Sequence, residues 1–180
     1  MSLLADAVAV LTAYTPTDAG QRRLGEQYLR HLAQHPDGIW RAGPPAHLTA
    51  SCFVLDPSGS KVLLTLHRKG GFWVQLGGHL EADDRTLAGA ARREASEESG
   101  LADLTLRPEP VGLHRHTLSA AFGRCREHLD VAYVATAPSD LPPVVSDESV
   151  DVAWWPVDQL PPTAVPDLRE RLDHLVAALR

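Results

Sequence analysis

Apolar residues recur along this chain in two rhythms, helical at both ends and strand-like between. Leu3, Leu4, Val8 and Leu11 follow approximate helical spacing and stop at Thr15-Pro16. A second helical run carries Leu24, Tyr28, Leu29 and Leu32 and ends near Pro36-Asp37-Gly38. Thr15 followed by Pro16, with Asp18 three residues after the threonine, predicts the N-cap of that run. Residues 1–40 therefore read as a helical extension. It can pack on the rest of the chain, shape a pocket or form a homodimer contact. After Gly43-Pro44-Pro45 the pattern changes. His47 to Leu55 and Val62 to Leu66 are rich in strand formers and flank the turn signal Asp56-Pro57-Ser58-Gly59. A short strand, Phe72 to Leu76, lies between two glycine pairs, Gly70-Gly71 and Gly77-Gly78. Next comes a helix from near Asp84 to Ser99, capped by Asp83 or Asp84 and stopped by Gly100. Further strands are predicted at about residues 103–108, 111–117, 128–136 and 151–156. A last helix carries Leu168, Leu172, Leu175, Val176 and Leu179. Mixed strands around one central helix, with helices at both ends, predict an α/β layered domain, although periodicity does not order the strands.

The central helix carries the first chemistry. Residues 92–98 read Arg-Arg-Glu-Ala-Ser-Glu-Glu, and Glu94, Glu97 and Glu98 stand at i, i+3 and i+4, on one helical face. Like charges so placed destabilise a helix by about 0.2–0.5 kcal/mol per pair. The neighbours Ala90, Ala91, Ala95 and Ser96 bring no counter-charge, and Arg92 and Arg93 answer only part of it. A solvated acidic face is the plainer reading. The nearby Gly77-Gly78 turn favours another, in which hard carboxylate oxygens bind a divalent cation, Mg2+ by default with Mn2+ as a substitute.

From Gly78 to Leu101 the chain resembles the Nudix box, whose pattern is G-x5-E-x7-R-E-U-x-E-E-x-G-U with U aliphatic. Arg93, Glu94, Glu97, Glu98, Gly100 and Leu101 match, with the small Ala95 at the first aliphatic position. The first half departs from the pattern: Asp84 stands where glutamate is expected, and eight residues instead of seven separate it from Arg93. The resemblance implies the Nudix fold, a mixed β-sheet sandwiched between helices, over residues 45–180. It also implies metal-dependent hydrolysis of the pyrophosphate bond of a nucleoside diphosphate linked to another moiety, or of a nucleoside triphosphate. Carried over, the metal ligands are the Gly78 carbonyl, Glu94, Glu97 and Glu98. Arg93 orients the glutamates, with Asp84 as its partner if the insertion allows contact; alternatively Asp84 mainly caps the helix and the insertion is absorbed before it. Glu97, Glu98 and Arg93 are catalytic candidates. The general base is either a box glutamate or an acid of Ser146-Asp147-Glu148-Ser149, with Glu148 ahead of Asp147. A noncatalytic ligand-sensing domain and an isopentenyl-diphosphate-type isomerase are the alternatives. The isomerase would need a catalytic cysteine, for which Cys52 and Cys125 are available.

Several residues outside the acidic helix could touch substrate. Arg68 and Lys69 form a cation pair suited to phosphates, and Trp73 could stack a base or belong to the core. His79 directly follows the glycine pair. His114 and His116 alternate on one strand, as do His128 and Asp130 on a later one. If those strands are neighbours, one cleft gathers three imidazoles and a carboxylate, which suits substrate contacts, a zinc ion or plain surface histidines. Beyond the box, where some Nudix subfamilies carry a substrate marker, Arg115, His116 and Thr117 match none, so substrate identity stays open.

Composition narrows the class without changing it. The chain has 180 residues, 44% of them hydrophobic and 22% charged, ordinary values for a globular enzyme. A net charge of −6 without a basic run argues against nucleic acid as partner and leaves a small-molecule nucleotide or diphosphate. Cys52 and Cys125 show no CxxC spacing and read as two reduced thiols. The first residues lack a basic segment and no apolar run reaches membrane-spanning length, so a cytoplasmic protein without membrane contact is expected.

Overall fold

The computed structural model describes residues 1–16, 18–147 and 149–178. Glu148 and Leu179 lie outside them. Two strands run parallel through the centre, β1 (Ala46–Leu55) and β7 (Glu127–Thr136), paired along their whole length. On the far side of β1, β2 (Lys61–His67) pairs antiparallel with its C-terminal end, and β8 (Ser149–Pro156) and β3 (Trp73–Val74) pair with β2. The N-terminal half of β1 pairs instead with β4 (Leu76–His79). On the other edge, β6 (Gly112–Thr117) and β5 (Thr105–Leu106) pair with β7. This is a mixed sheet with helices on both faces, as the resemblance implied.

Alternation along the central strands builds two cores. Leu48, Ala50, Cys52 and Val54 of β1 and Leu129, Val131, Tyr133 and Ala135 of β7 face one side. Three helices cover it: α1 (Leu3–Ala13), α2 (Ala19–Gln34) and α3 (Leu87–Ser99), which contribute Leu11, Tyr28 and Leu87 among others. Phe53, Leu55 and Val134 face the other side beneath Leu168, Leu172 and Leu175 of α4 (Leu168–Ala178). Each fully buried leucine contributes about 1.5–3 kcal/mol. The N-terminal helices are thus part of the main core.

Several local expectations change. Asp18, not Thr15, caps α2, its carboxylate accepting the Gln21 amide at 2.8 Å. The strand expected over residues 72–76 divides, because the chain leaves β2 after Val74 and joins β1 at Leu76. Gly77 permits that crossing. Its φ is 150°, and a Cβ there would lie 2.5 Å from the Ser51 Cα. A 3-10 turn at Ala120–Phe122 was not foreseen. No helix among the described residues is long and apolar enough to cross a membrane.

Candidate functional site

The acidic helix α3 begins at Leu87 and not near Asp84. Thr86 is the N-cap in place of Asp83 or Asp84, its hydroxyl accepting the Gly89 amide at 2.9 Å, and Gly100 ends the helix in the left-handed region. A second acceptor comes from far away in sequence. Asp6 of α1, only 7% exposed, takes the amide of Leu87 at 2.8 Å. That carboxylate satisfies an otherwise orphaned donor and opposes the positive end of the helix dipole. Ala90, Ala91 and Ala95 are wholly buried, so short side chains let α3 lie close on the sheet.

That close approach presses the acids of α3 against the glycine turn. Glu98, 6% exposed, accepts the Gly77 amide at 2.9 Å. The Glu94 carboxylate lies against Gly78, where a Cβ would stand 2.7 Å from its Oε2. Glu97 points outward, its side chain 59% exposed.

Arg93 ties this group together. Its Nε and Nη2 donate to the two carboxylate oxygens of Asp84 at 3.0 and 2.9 Å, a bidentate pair, and Nη2 also reaches the His79 carbonyl at 3.0 Å. Nη1 donates to Glu94 at 3.1 Å and to Glu97 at 3.0 Å. The Asp84 pairing in particular holds the guanidinium charged, raising its pKa. Asp84 is therefore a partner of Arg93 and not a helix cap. The inserted residue is taken up in the loop before Thr86, and the contact survives. Oxygen-only donors beside a side-chain-free glycine fit a hard divalent cation, and Glu94, Glu97, Glu98 and the Gly78 carbonyl are the groups that could hold one.

The loop before β8 is fastened to the end of α3, the Val144 amide donating to the Ser99 carbonyl at 2.7 Å. Arg68 spans the same region, donating to the carbonyls of Asp147 at 2.9 Å and Ser149 at 2.6 Å, so its guanidinium is engaged with backbone. Asp147 is exposed, and Glu148 lies outside the described residues. Lys69 lines a cleft with Arg41, Arg124 and Cys125. Trp73 is a core residue, packed edge-on against Trp155 at 5.4 Å and not available to stack a base. Cys52 is fully buried and its thiol is pushed up to about 12, which removes it as a nucleophile.

His47, His79, His114, His116 and His128 share one sheet face. β6 and β7 are neighbours, with His116 opposite His128 and His114 opposite Asp130. Parallel pairing adds His47 opposite His128, and antiparallel pairing sets His79 opposite Thr49. Asp130 is committed to the hydroxyls of Thr49 at 3.0 Å and Ser51 at 2.5 Å, with Arg171 at 3.5 Å. His114 lies 2.5 Å from Asp167, and its Nδ1 is 3.2 Å from that of His116. The tightest group is not the expected His114, His116, His128 and Asp130. Among the described residues it is His47, His79, His128 and Cys125, whose ligand-capable atoms lie within 4.8 Å of one another. Burial keeps these imidazoles neutral, lowering His79 to about 4 and His128 further. Local spacing could have flagged Cys125 with His128, three residues apart. His47 enters through strand pairing, which sequence spacing does not carry.

Comparison with known proteins follows the same geometry. The model of the NUDIX domain matches residues 45–178. A NUDIX-family hydrolase from Clostridium perfringens is 28% identical, with a TM-score of 0.58 over 72% of this chain and 97% of that one. The Nudix hydrolase RenU from M. smegmatis is 25% identical, with a TM-score of 0.55 over 74% of this chain and 88% of that one. The NUDIX domain of Shewanella oneidensis NrtR, solved with ADP ribose, shares the fold at 20% identity, with a TM-score of 0.60 over 84% of this chain and 97% of that one. Among curated proteins, none shows significant similarity to this chain.

Proposed function

This chain belongs to the NUDIX domain family as a pyrophosphohydrolase, and from that premise we propose that it cleaves, with Mg2+, a nucleoside diphosphate linked to another group or a nucleoside triphosphate. The observation that carries the proposal is the arrangement around Arg93. One guanidinium holds Asp84, Glu94 and Glu97, while Glu98 is fixed on the Gly77 amide, so the acids are in place before any ligand arrives. Mg2+ bound here would supply positive charge to offset the negative charge that builds on the diphosphate. Glu94, Glu98 and the Gly78 carbonyl would hold the cation, with Glu97 as a further ligand.

The rest of the work belongs to the chain. The cleft bounded by Arg41, Lys69 and Arg124 attracts a polyanion. Cys125 of that cleft lies 3.9 Å from His79, the residue after Gly78. The attacking water must lose a proton, and Glu97 and Glu148 are the two acids assigned to accept it. Water oxygen bonds to phosphorus and the bridging P–O bond breaks, leaving two phosphate-bearing products.

A phosphate-release screen over nucleotide sugars, dinucleotides and nucleoside triphosphates tests the reading. Turnover should vanish in EDTA and return with Mg2+ or Mn2+ alone. Glu98→Gln keeps an acceptor for the Gly77 amide but loses the charged ligand, and should lower turnover by at least about 10²-fold. Separate Glu97→Gln and Glu148→Gln variants decide the proton acceptor, the larger loss marking it. Turnover untouched by chelation, or near-normal turnover in Glu98→Gln, overturns the mechanism.

A further inference from the structure

We propose a second cation site, distinct from the acidic helix, in which His47, His79, His128 and Cys125 bind one Zn2+ ion. The donor set carries the idea first. Three imidazoles and a thiol form a nitrogen and sulfur set suited to a borderline-soft ion, whereas Glu94, Glu97 and Glu98 offer only hard oxygen. The four residues come from three strands and the segment before β7: His47 on β1, His79 on β4, His128 on β7, and Cys125. No two adjacent positions supply them. Ligands of tetrahedral zinc stand about 3.3–3.8 Å apart, given its usual bond lengths. Here the ligand-capable atoms lie within 4.8 Å, and Cys125 Sγ is 3.9 Å from His79 Nε2. Small side-chain rotations close that gap.

Two further observations point to a ligand. His47 is fully buried, yet its Nε2 has no hydrogen-bond partner among the described residues, and the buried Nε2 of His128 has none among them either. A buried polar atom without a partner is destabilising, so two at one spot call for an occupant. The other nitrogen of His47, Nδ1, lies 3.1 Å from the Pro44 carbonyl. That oxygen accepts only if Nδ1 carries the proton, which leaves Nε2 as a lone-pair donor aimed at the cluster. Metal-bound histidines are held in this way. The three rings pack with centroids 5.0 to 5.3 Å apart, around a common point. His116, 5.2 Å from His128, is drawn off by its contact with His114 and stays outside the set.

On binding, the Cys125 thiol gives its proton to solvent and the thiolate joins three neutral imidazoles. The ion fastens the end of β4, one residue beyond Gly78, to β1 and β7. Cys125 also lines the cleft of Arg41, Lys69 and Arg124.

Co2+ in excess Mg2+ is the probe, added to chelator-treated full-length protein. One equivalent should give tetrahedral d–d bands in the visible and a thiolate-to-cobalt band in the near ultraviolet, and one equivalent of Zn2+ should abolish both. Cys125→Ser should remove the near-ultraviolet band, and His47→Gln should weaken Co2+ binding by at least tenfold. Cys52→Ala and Glu98→Gln should leave the spectrum unchanged, which separates this site from the box. Circular dichroism confirms that each variant is folded. A purely octahedral spectrum, a thiolate band that survives Cys125→Ser, or loss of the spectrum in Glu98→Gln would each overturn the proposal.

Discussion

Replacing Asp84 with alanine tests the site at the point where it differs most from a helix cap. Asp84 is 9% exposed and accepts three hydrogen bonds: Arg93 Nε at 3.0 Å, Arg93 Nη2 at 2.9 Å and the Glu81 amide at 2.8 Å. Hydrogen bonds to charged groups contribute about 1.5–3 kcal/mol, and removing one member of a fully buried ion pair costs about 3–5 kcal/mol. The Arg93 side chain keeps 22% exposure, so water recovers part of its solvation. Asp84→Ala should therefore cost about 2–3 kcal/mol in urea unfolding of the metal-free protein. Turnover should fall too, because the freed guanidinium no longer presents fixed donors to Glu94 and Glu97. Thr86→Ala is the contrast: a true N-cap, worth about 1 kcal/mol, with turnover at saturating Mg2+ unchanged. A double-mutant cycle of Asp84→Ala with Arg93→Ala should return a coupling of about 1–2 kcal/mol. The reasoning fails if Asp84→Ala costs no more than Thr86→Ala and retains full turnover, or if the cycle shows no coupling.

Three other outcomes follow from the geometry. Asp6→Ala leaves the buried Leu87 amide without its acceptor and should cost about 1.5–3 kcal/mol by urea unfolding, although Asp6 lies outside the box; a loss below about 0.5 kcal/mol would refute the anchor. Gly78→Ala places a methyl 2.7 Å from the Glu94 carboxylate, so the Mg2+ dependence of turnover should shift to higher concentration more than stability falls, and an unchanged Mg2+ titration would count against it. His114 is lowered to about 4, mainly by burial and then by Arg171 and His116, against the opposing pull of Asp167 and Asp130. Its folded pKa lies below the ordinary value near 6.5, so the unfolded chain binds the extra proton. The stability it contributes is present above about pH 6.5 and is lost as pH falls toward 4, by up to about 1.4 kcal/mol per pH unit. His114→Gln should flatten that part of the pH–stability curve of the metal-free protein, and an unaltered slope would place the charged form in the fold.

What could be read from the sequence was the chemistry that lies within one turn or one strand. The i, i+3, i+4 acids, the glycine pair and the alternating histidines all rest on local period, and the strands and helices follow the same rule to within a few residues. The misreadings have a common cause. Asp84 and Thr86 both suit a helix N-terminus, and the choice between them was made by Arg93, whose fork takes the carboxylate and leaves the hydroxyl to cap. Thr15-Pro16 lost to Asp18 for a related reason, because a carboxylate three residues after the threonine reaches the Gln21 amide. Trp73 was ambiguous until strand order placed Trp155 beside it. His47 joins His79 and His128 only through the pairing of β1 with β4 and β7, separations no local pattern records.

The N-terminal helices bear on the same point. A box helix with an inserted residue ahead of it needs some constraint to keep Glu94 and Glu98 facing the glycine turn, because one residue of slip rotates a helix by about 100°. Asp84 cannot supply it as a cap, being held by Arg93. Thr86 fixes the first turn but leaves the Leu87 amide to find another acceptor. Asp6 provides that acceptor from α1, and α1 itself is seated through Leu3, Ala7 and Leu11 in the core that α3 also enters. The opening helix therefore sets the rotation of the box helix as well as covering the sheet. If so, Asp6→Ala and Thr86→Ala act on one helix end, and their combined cost in urea should exceed the sum of the two separate losses by about 0.5 kcal/mol or more. Strict additivity would mean that either residue alone holds the register, and would leave α1 as cover only.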